Sequence, residues 1–280
     1  IGWPFLIALT GFIFRLPVEI AMNILLFLLG IVCVILFYNI LRIYNSEVRS
    51  FSCLALVISP AFIYLFLEGD KYTMVIVLSL LLTYFILNKN YFKAGISFIF
   101  IPLFDLGSAI FVGLMILCYF LYLKEKKLLL TSIIILSLIF SYLYFKGFNF
   151  NIISDFGSKI GLSIFTIFLF FIGFGLFWKK KKFLLLYGIS FLLFLFSFKF
   201  SFILLYLNLF LTILVSVSLI ELFDRKWESG LIKNLTLLLL VCGLLFSGVS
   251  YAKNVSEDLP SQDFFKALNL VPDDAIIFSS

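Results

Sequence analysis

The sequence predicts an all-α fold, a polytopic bundle of about ten transmembrane helices, and three observations carry that expectation. Of 280 residues, 64% are hydrophobic and only 13% charged, with a mean hydropathy of +1.21. Soluble domains hold about half apolar residues. Long apolar runs such as Phe183 to Phe198 and Phe200 to Ile220 are separated by a single lysine, and about 20 apolar residues are enough to cross the hydrocarbon as a helix. The short alternating segments with a polar inward face that a spanning barrel requires are absent.

The elements follow in order. Ile1 to Phe14 precedes the Arg15-Leu16-Pro17 break and reads as a re-entrant or interfacial helix, or as the tail of a span lying upstream. Spans are expected near Val18 to Leu41, Phe51 to Leu67 and Tyr72 to Leu87. The stretch from Phe92 to Leu123 must leave one side and return to it, yet it is too short for two full spans and too long for one. It therefore reads as two short helices, Phe92 to Leu103 and Ser108 to Leu123. They meet at Pro102-Leu-Phe-Asp105-Leu-Gly107-Ser108, where proline and glycine interrupt the helical ladder. Further spans are expected at Leu128 to Phe145, Gly161 to Trp178, Phe183 to Phe198, Phe200 to Leu222 and Leu231 to Tyr251.

Residues 1–251 thus form a transmembrane domain. After Tyr251 the composition turns polar, with Asn254, Ser256, Glu257, Asp258, Pro260, Gln262 and Asp263 close together. Residues 252–280 read as the start of an extracytoplasmic soluble region, with an amphipathic helix from Phe264 leading into a strand after Val271-Pro-Asp-Asp. Beginning at Ile1 and stopping just after the apolar Ala275 to Phe278, the chain reads as an internal piece of a longer protein.

Orientation follows from the basic turns. Arg42 with Arg49, Lys89 with Lys93, Lys124 with Lys126 and Lys127, Lys179 to Lys182, and Arg225 with Lys226 and Lys233 all fall on one side of this map. The positive-inside rule makes that side cytoplasmic. The expected localisation is the cell membrane, multi-pass, with the opposite face extracytoplasmic.

Several chemistries are excluded or disfavoured. The chain has no histidine, which removes His-ligated metals and Ser-His triads. Its four cysteines, Cys33, Cys53, Cys118 and Cys242, lie in apolar runs and read as packing residues. No nucleic-acid partner is expected.

The most unusual local feature is Leu65 to Leu78, where Glu68-Gly69-Asp70-Lys71 stands at the mouth of an apolar run. An acidic pair at a membrane boundary is costly enough to need a reason. Glycine between the acids provides a tight turn. Arg15, Glu19, Asp105, Lys146, Asp155, Lys159 and Lys199 map to the same expected external face. Carboxylates and cations on one face suit a ligand that combines phosphate with hydroxyls. The plainer alternative is that these charges are water-facing helix terminators. Asp105, at a helix break, reads as facing a protein cavity. Asp155 is either a second-loop acid or a helix cap.

These residues bear a family resemblance. Ser59-Pro60-Ala-Phe-Ile, Glu68-Gly-Asp70 and the span opening Tyr72-Thr-Met-Val-Ile-Val resemble the acid-x-acid motif and following span of the GT-C superfamily of membrane glycosyltransferases. Gly2-Trp-Pro4, Ala94-Gly95-Ile ahead of Asp105, Lys199-Phe-Ser-Phe-Ile-Leu-Leu, and Ala267-Leu-Asn with Val271-Pro-Asp-Asp-Ala-Ile-Ile are similar to other stretches of that family. The resemblance implies a GT-C-like bundle and an inverting glycosyltransferase that uses a polyprenyl-phosphate-linked sugar donor on the extracytoplasmic face. Its partners would be membrane lipid, that donor, and a glycan, lipid or protein acceptor. It implies catalytic roles for Glu68, Asp70 and Asp155, and substrate binding by Arg15, Lys71, Tyr72, Asp105 and Lys199. Glu68 and Asp70 would hold a divalent cation, Mg or Mn, if one is used. The family's principal catalytic aspartate would precede Ile1.

Two other classes remain open. A transporter or flippase for an anionic lipid-linked substrate would need charged groups near the bilayer midplane, and the expected spans are almost free of them apart from Asp105. A non-catalytic membrane assembly protein would need no acidic cleft at all.

Overall fold

The computed structural model describes residues 2–15, 17–124, 153–156, 161–177, 181–198 and 200–258. Among these the chain is helical and holds no strand, beyond an isolated bridge between Ile153 and Leu162. The helices are α1 Gly2–Phe14, α2 Val18–Ile40, α3 Ser46–Ile58, α4 Pro60–Glu68, α5 Tyr72–Leu87, α6 Tyr91–Phe100, α7 Leu106–Lys124, α8 Ile164–Phe177, α9 Lys181–Ser197, α10 Ile203–Asp224 and α11 Gly230–Asp258.

Three stretches, Ile20–Ile43, Ile203–Asp224 and Gly230–Val255, are each long and apolar enough to cross a membrane. The pair α3 and α4 makes a fourth crossing if taken as one span, bent by 57°. The bend has a local cause. Ser59 caps α4 by accepting from the Phe62 amide, and Pro60 occupies its first turn, so the ladder of α3 cannot run through. The other expected crossings within the described residues rest on apolar helices of 10–17 residues. The expected span Leu128 to Phe145 and the soluble region after 258 lie outside the described residues. Residues 252–258 continue α11 without a break.

Helix α10 forms the centre, packed against α3, α8 and α9, while α2 packs on α5 and α1, and α11 on α4. The main core joins Leu56, Tyr64, Val75, Ile76, Ile101, Tyr206 and Leu214, so it draws on both halves of the chain. The short helices α6 and α7 meet at Asp105 through the 3-10 turn Ile101–Leu103, matching the paired arrangement expected there.

Contacts also separate the two ends of the bundle. Lys71 lies at the start of α5 and bonds Asp105, while Lys93 sits over the Phe85 ring near the far end of that helix. At α10, Phe202 stacks on Tyr72 at one end, and Lys233 lies over Phe223 at the other. Glu68, Asp70 and Asp105 therefore share one end. Lys89, Lys93, Arg225 and Lys233 occupy the opposite one.

Candidate functional site

The acidic end is assembled around Gly69. This residue ends α4 in the left-handed region, with φ of 67°, a conformation glycine adopts without steric cost. A Cβ there would also approach Met22 Cε to 2.7 Å and Leu26 Cδ1 to 2.9 Å. The left-handed backbone is what calls for glycine, since Met22 and Leu26 meet the turn with the flexible ends of their side chains. The same contacts set the depth of the turn. Met22 and Leu26 lie one to two turns inside the start of α2, so the Glu68–Lys71 segment is recessed by about 6–12 Å from that helix end, at 1.5 Å per residue.

The turn holds its charges in a defined pattern. Tyr64 stands one helical turn before Glu68 and donates its hydroxyl to Asp70 Oδ2 at 3.4 Å, with Glu68 as the other carboxylate beside that hydroxyl. Asp70 Oδ1 accepts the Lys71 amide at 2.6 Å. Lys71 Nζ then reaches across to Asp105 Oδ1 at 2.8 Å. Asp105 Oδ2 accepts both the Ser108 amide at 2.8 Å and the Ser108 hydroxyl at 2.7 Å, which caps the N-terminus of α7. The salt bridge ties the α4–α5 turn to the α6–α7 hairpin.

The environments of the two partners differ. The Lys71 side chain is 42% exposed and that of Asp105 only 15%. The hydrogen bond to Asp105 raises the Lys71 ammonium above its ordinary 10.5, against the effect of desolvation. Burial pushes the Asp105 carboxyl up, but the Lys71 ammonium and the Ser108 hydroxyl and amide outweigh it and hold the group below 3.8. Lys71 Nζ also lies 4.9 Å from the centre of the Tyr72 ring, and Tyr72 stacks on Phe202 with centroids 6.1 Å apart. The ammonium thus sits on an aromatic ledge with one side open.

Asp155 lies on another element, the 3-10 turn Ser154–Phe156. Its Oδ2 accepts the Ile164 amide at 2.6 Å, capping α8, and its Oδ1 accepts the Ser247 hydroxyl of α11 at 2.6 Å. Of the two roles open to it, the capping geometry is the one observed. Ser247 lies one turn from Tyr251 on α11, and Tyr251 is within electrostatic reach of Glu68. Arg15 is exposed in the turn after α1 with a φ of 52°. No hydrogen bond or ion pair among the described residues joins it to the cluster. Lys199, Lys146 and Lys159 lie outside the described residues.

The structure thus brings Glu68, Asp70, Lys71, Tyr72 and Asp105 together. Tyr64, Ser108 and Tyr251 are neighbours of that cluster that sequence reasoning missed, as it missed Ser247 at Asp155. Tyr64 carried a signal, since a residue four before Glu68 on a helix shares its face. Ser108 carried one too, three residues after an aspartate at a helix break. Ser247 and Tyr251 carried none, because only folding sets α11 against α4.

Among the described residues there is no group of three or more His, Cys, Asp or Glu side chains able to hold a metal. Glu68 and Asp70 alone offer two carboxylates. That set suits Mg²⁺ only when a ligand's phosphate oxygens complete the shell.

Comparison with family models, with curated proteins and with solved structures found no match to this chain.

Proposed function

We propose that this chain is part of an integral membrane glycosyltransferase that takes a sugar from a polyprenyl-phosphate-linked donor at the acidic end of the bundle. The observation that supports this reading best is the meeting of Glu68 and Asp70 with Lys71 on one recessed turn, the lysine side chain being 42% exposed. A carboxylate, a cation and a nearby aromatic surface are the groups that a phosphate-linked sugar needs. In this reading Lys71 would take the donor phosphate, and Tyr72 with Phe202 flanks it.

In the proposed reaction a carboxylate of the Glu68–Asp70 pair accepts the proton of an acceptor hydroxyl. The freed oxygen bonds to the anomeric carbon, and the bond from that carbon to the phosphate oxygen breaks. The electron pair leaves on the polyprenyl phosphate, whose growing charge Lys71 would balance. Glu68 and Asp70, with the donor phosphate, would hold a divalent cation if one is used, and it would supply further neutralisation. Asp155, with both oxygens engaged, supports the α8–α11 junction in this reading. By extension, the acidic end faces the extracytoplasmic side.

The test is transfer of radiolabelled hexose from a polyprenyl-phosphate donor by the full-length protein in liposomes, with a cell lipid and glycan extract as acceptor. Asp70→Asn is expected to lower the rate by about 100-fold or more, the span of general acid–base contributions. Equal label transfer by wild type, Asp70→Asn and Glu68→Gln would overturn the proposal.

A further inference from the structure

The turn between α2 and α3 lies at the end of the bundle away from the acidic turn. Met22 and Leu26 of α2 approach Gly69, and the helix runs on to Ile40, about 20 Å further at 1.5 Å per residue. We infer that this turn binds the phosphate of an anionic membrane lipid through Arg49 and Arg42, beside the ring of Tyr38. The site is remote from the acidic turn and does not rest on the function proposed above.

Arg49 is the central group. Its guanidinium carbon lies 4.9 Å from the centre of the Tyr38 ring, which holds the side chain in place. Yet no protein acceptor among the described residues takes a hydrogen bond from it, and its Nε is shielded from water as well. A charged donor left in that state is costly. The first turn of a helix is its positive end, where a cation is unfavourable and an anion favoured, and Arg49 is the fourth residue of α3. Arg42 adds a second charge. It follows Tyr38 by four residues, through the end of α2 and the 3-10 turn Leu41–Ile43, so it shares the face of that ring and is exposed there. Glu47 is the acid of the turn, and no ion pair among the described residues joins it to either arginine. The fold thus gathers two guanidinium groups without supplying their counter-charge.

The class of ligand follows from the surroundings. Arginine presents paired N–H groups that match the oxygens of a phosphate. Next to Arg42, Ile43 is 77% exposed, and beyond Arg49 the outer surface of α3 shows Phe51, Leu54 and Val57. These apolar side chains mark where hydrocarbon begins, so the two arginines stand at headgroup depth with room for lipid chains directly beside α3. Basic pockets between membrane helices take lipid headgroups in this manner. A soluble phosphate would use the arginines but not the apolar surface.

The test uses the purified full-length protein in neutral detergent micelles and follows the thermal midpoint against added dioctanoyl phosphatidylglycerol, dioctanoylglycerol or inorganic phosphate. A ligand bound by the folded state raises the midpoint with its concentration. Phosphatidylglycerol is expected to raise it in wild type, while dioctanoylglycerol, with the same chains and no phosphate, leaves it unchanged. Arg49→Gln and Arg42→Gln should each weaken the apparent affinity by about fivefold or more, the scale of a hydrogen bond to a charged group. Lys233→Gln, which removes another cation of the same end that lies over Phe223, should change it by less than about twofold. Arg49→Lys keeps the charge and loses the fork; it is the second variant should Arg49→Gln fold poorly, and its affinity should fall between wild type and Arg49→Gln.

Equal losses from Lys233→Gln and from both arginine variants would mean diffuse attraction to a basic surface and would overturn the site. Equal stabilisation by dioctanoylglycerol would do the same. If inorganic phosphate raises the midpoint as strongly as the lipid at equal concentration, and Arg49→Gln abolishes both effects, the site takes free phosphate and the lipid assignment falls.

Discussion

Helices α10 and α11 are consecutive, both are long and apolar enough to span, and they meet opposite surroundings. In α10, 83% of the most apolar window is buried inside the protein, against 28% in α11. The difference lies in where polar groups are placed. The buried face of α10 carries Tyr206, Asn208, Thr212, Ser216 and Ser218. Tyr206 shares a hydrogen bond with Ser79 at 3.1 Å, and Asn208 donates to Ser59 at 2.7 Å, at the bend between α3 and α4. By contrast α11 turns Leu238, Phe246 and Val249 outward and keeps small residues for its contact face, with Gly248 against Ile58 and Ser247 on Asp155. Apolar surface between helices gains nothing over lipid, so packing and hydrogen bonds must hold such a bundle together. One helix is held by buried interhelical polar bonds, the other by close approach at Gly248 and a single bond from Ser247 to Asp155.

Five substitutions, one of them read across pH, would break or sharpen that contrast. Gly248→Leu should have the largest effect, because a Cβ would strike the Ile58 carbonyl on the facing backbone. Overpacking of this kind costs about 1–3 kcal/mol, read as a lower midpoint for loss of monodisperse protein on heating in detergent. Asn208→Leu should cost about 1 kcal/mol, near the range of interhelical hydrogen bonds in membranes. A midpoint equal to wild type would show that the Ser59 contact contributes nothing.

The Lys71–Asp105 pair should contribute less, about 0.2–1 kcal/mol, since its lysine is 42% exposed and solvent screens such pairs. Its pH profile is specific. The Asp105 carboxyl is lowered on folding, so its contribution is present above 3.8 and is lost as pH falls through the depressed value. The Lys71 ammonium is raised, so its contribution is complete below 10.5 and is lost as pH rises through the higher value. The stability difference between wild type and Asp105→Asn should therefore be flat from about pH 5 to pH 9, and a slope inside that window would assign it to another group. Smallest of all, Leu238→Ala and Phe246→Ala, at positions 63% and 76% exposed, should shift the midpoint by less than about 0.5 kcal/mol.

Much of this was legible in the chain. Hydropathy marked the apolar helices, and proline with glycine marked the break at Asp105. The serine-proline pair at Ser59 carries a helix-start signal that went unread, and the expected span ran straight through it to Leu67. A window of apolar residues reads the same on either side of a bend. The acidic turn announced itself because charge is rare in this composition. Its partner choice was hidden: Lys71 and Asp105 stand 34 positions apart, and no local pattern joins them. The same holds for Asp155 with Ser247, 92 positions apart.

By itself the sequence determined that the chain is helical and suited to a membrane, with an unusual acidic turn at Glu68–Asp70. Those properties follow from composition, local periodicity and helix-breaking residues, each of which acts over a turn or two. Only the tertiary structure decided which of two similar apolar helices became the centre, and which acid holds Lys71. Such choices depend on side chains distant in the chain meeting at 3 Å or so, and short-range pattern carries no record of them.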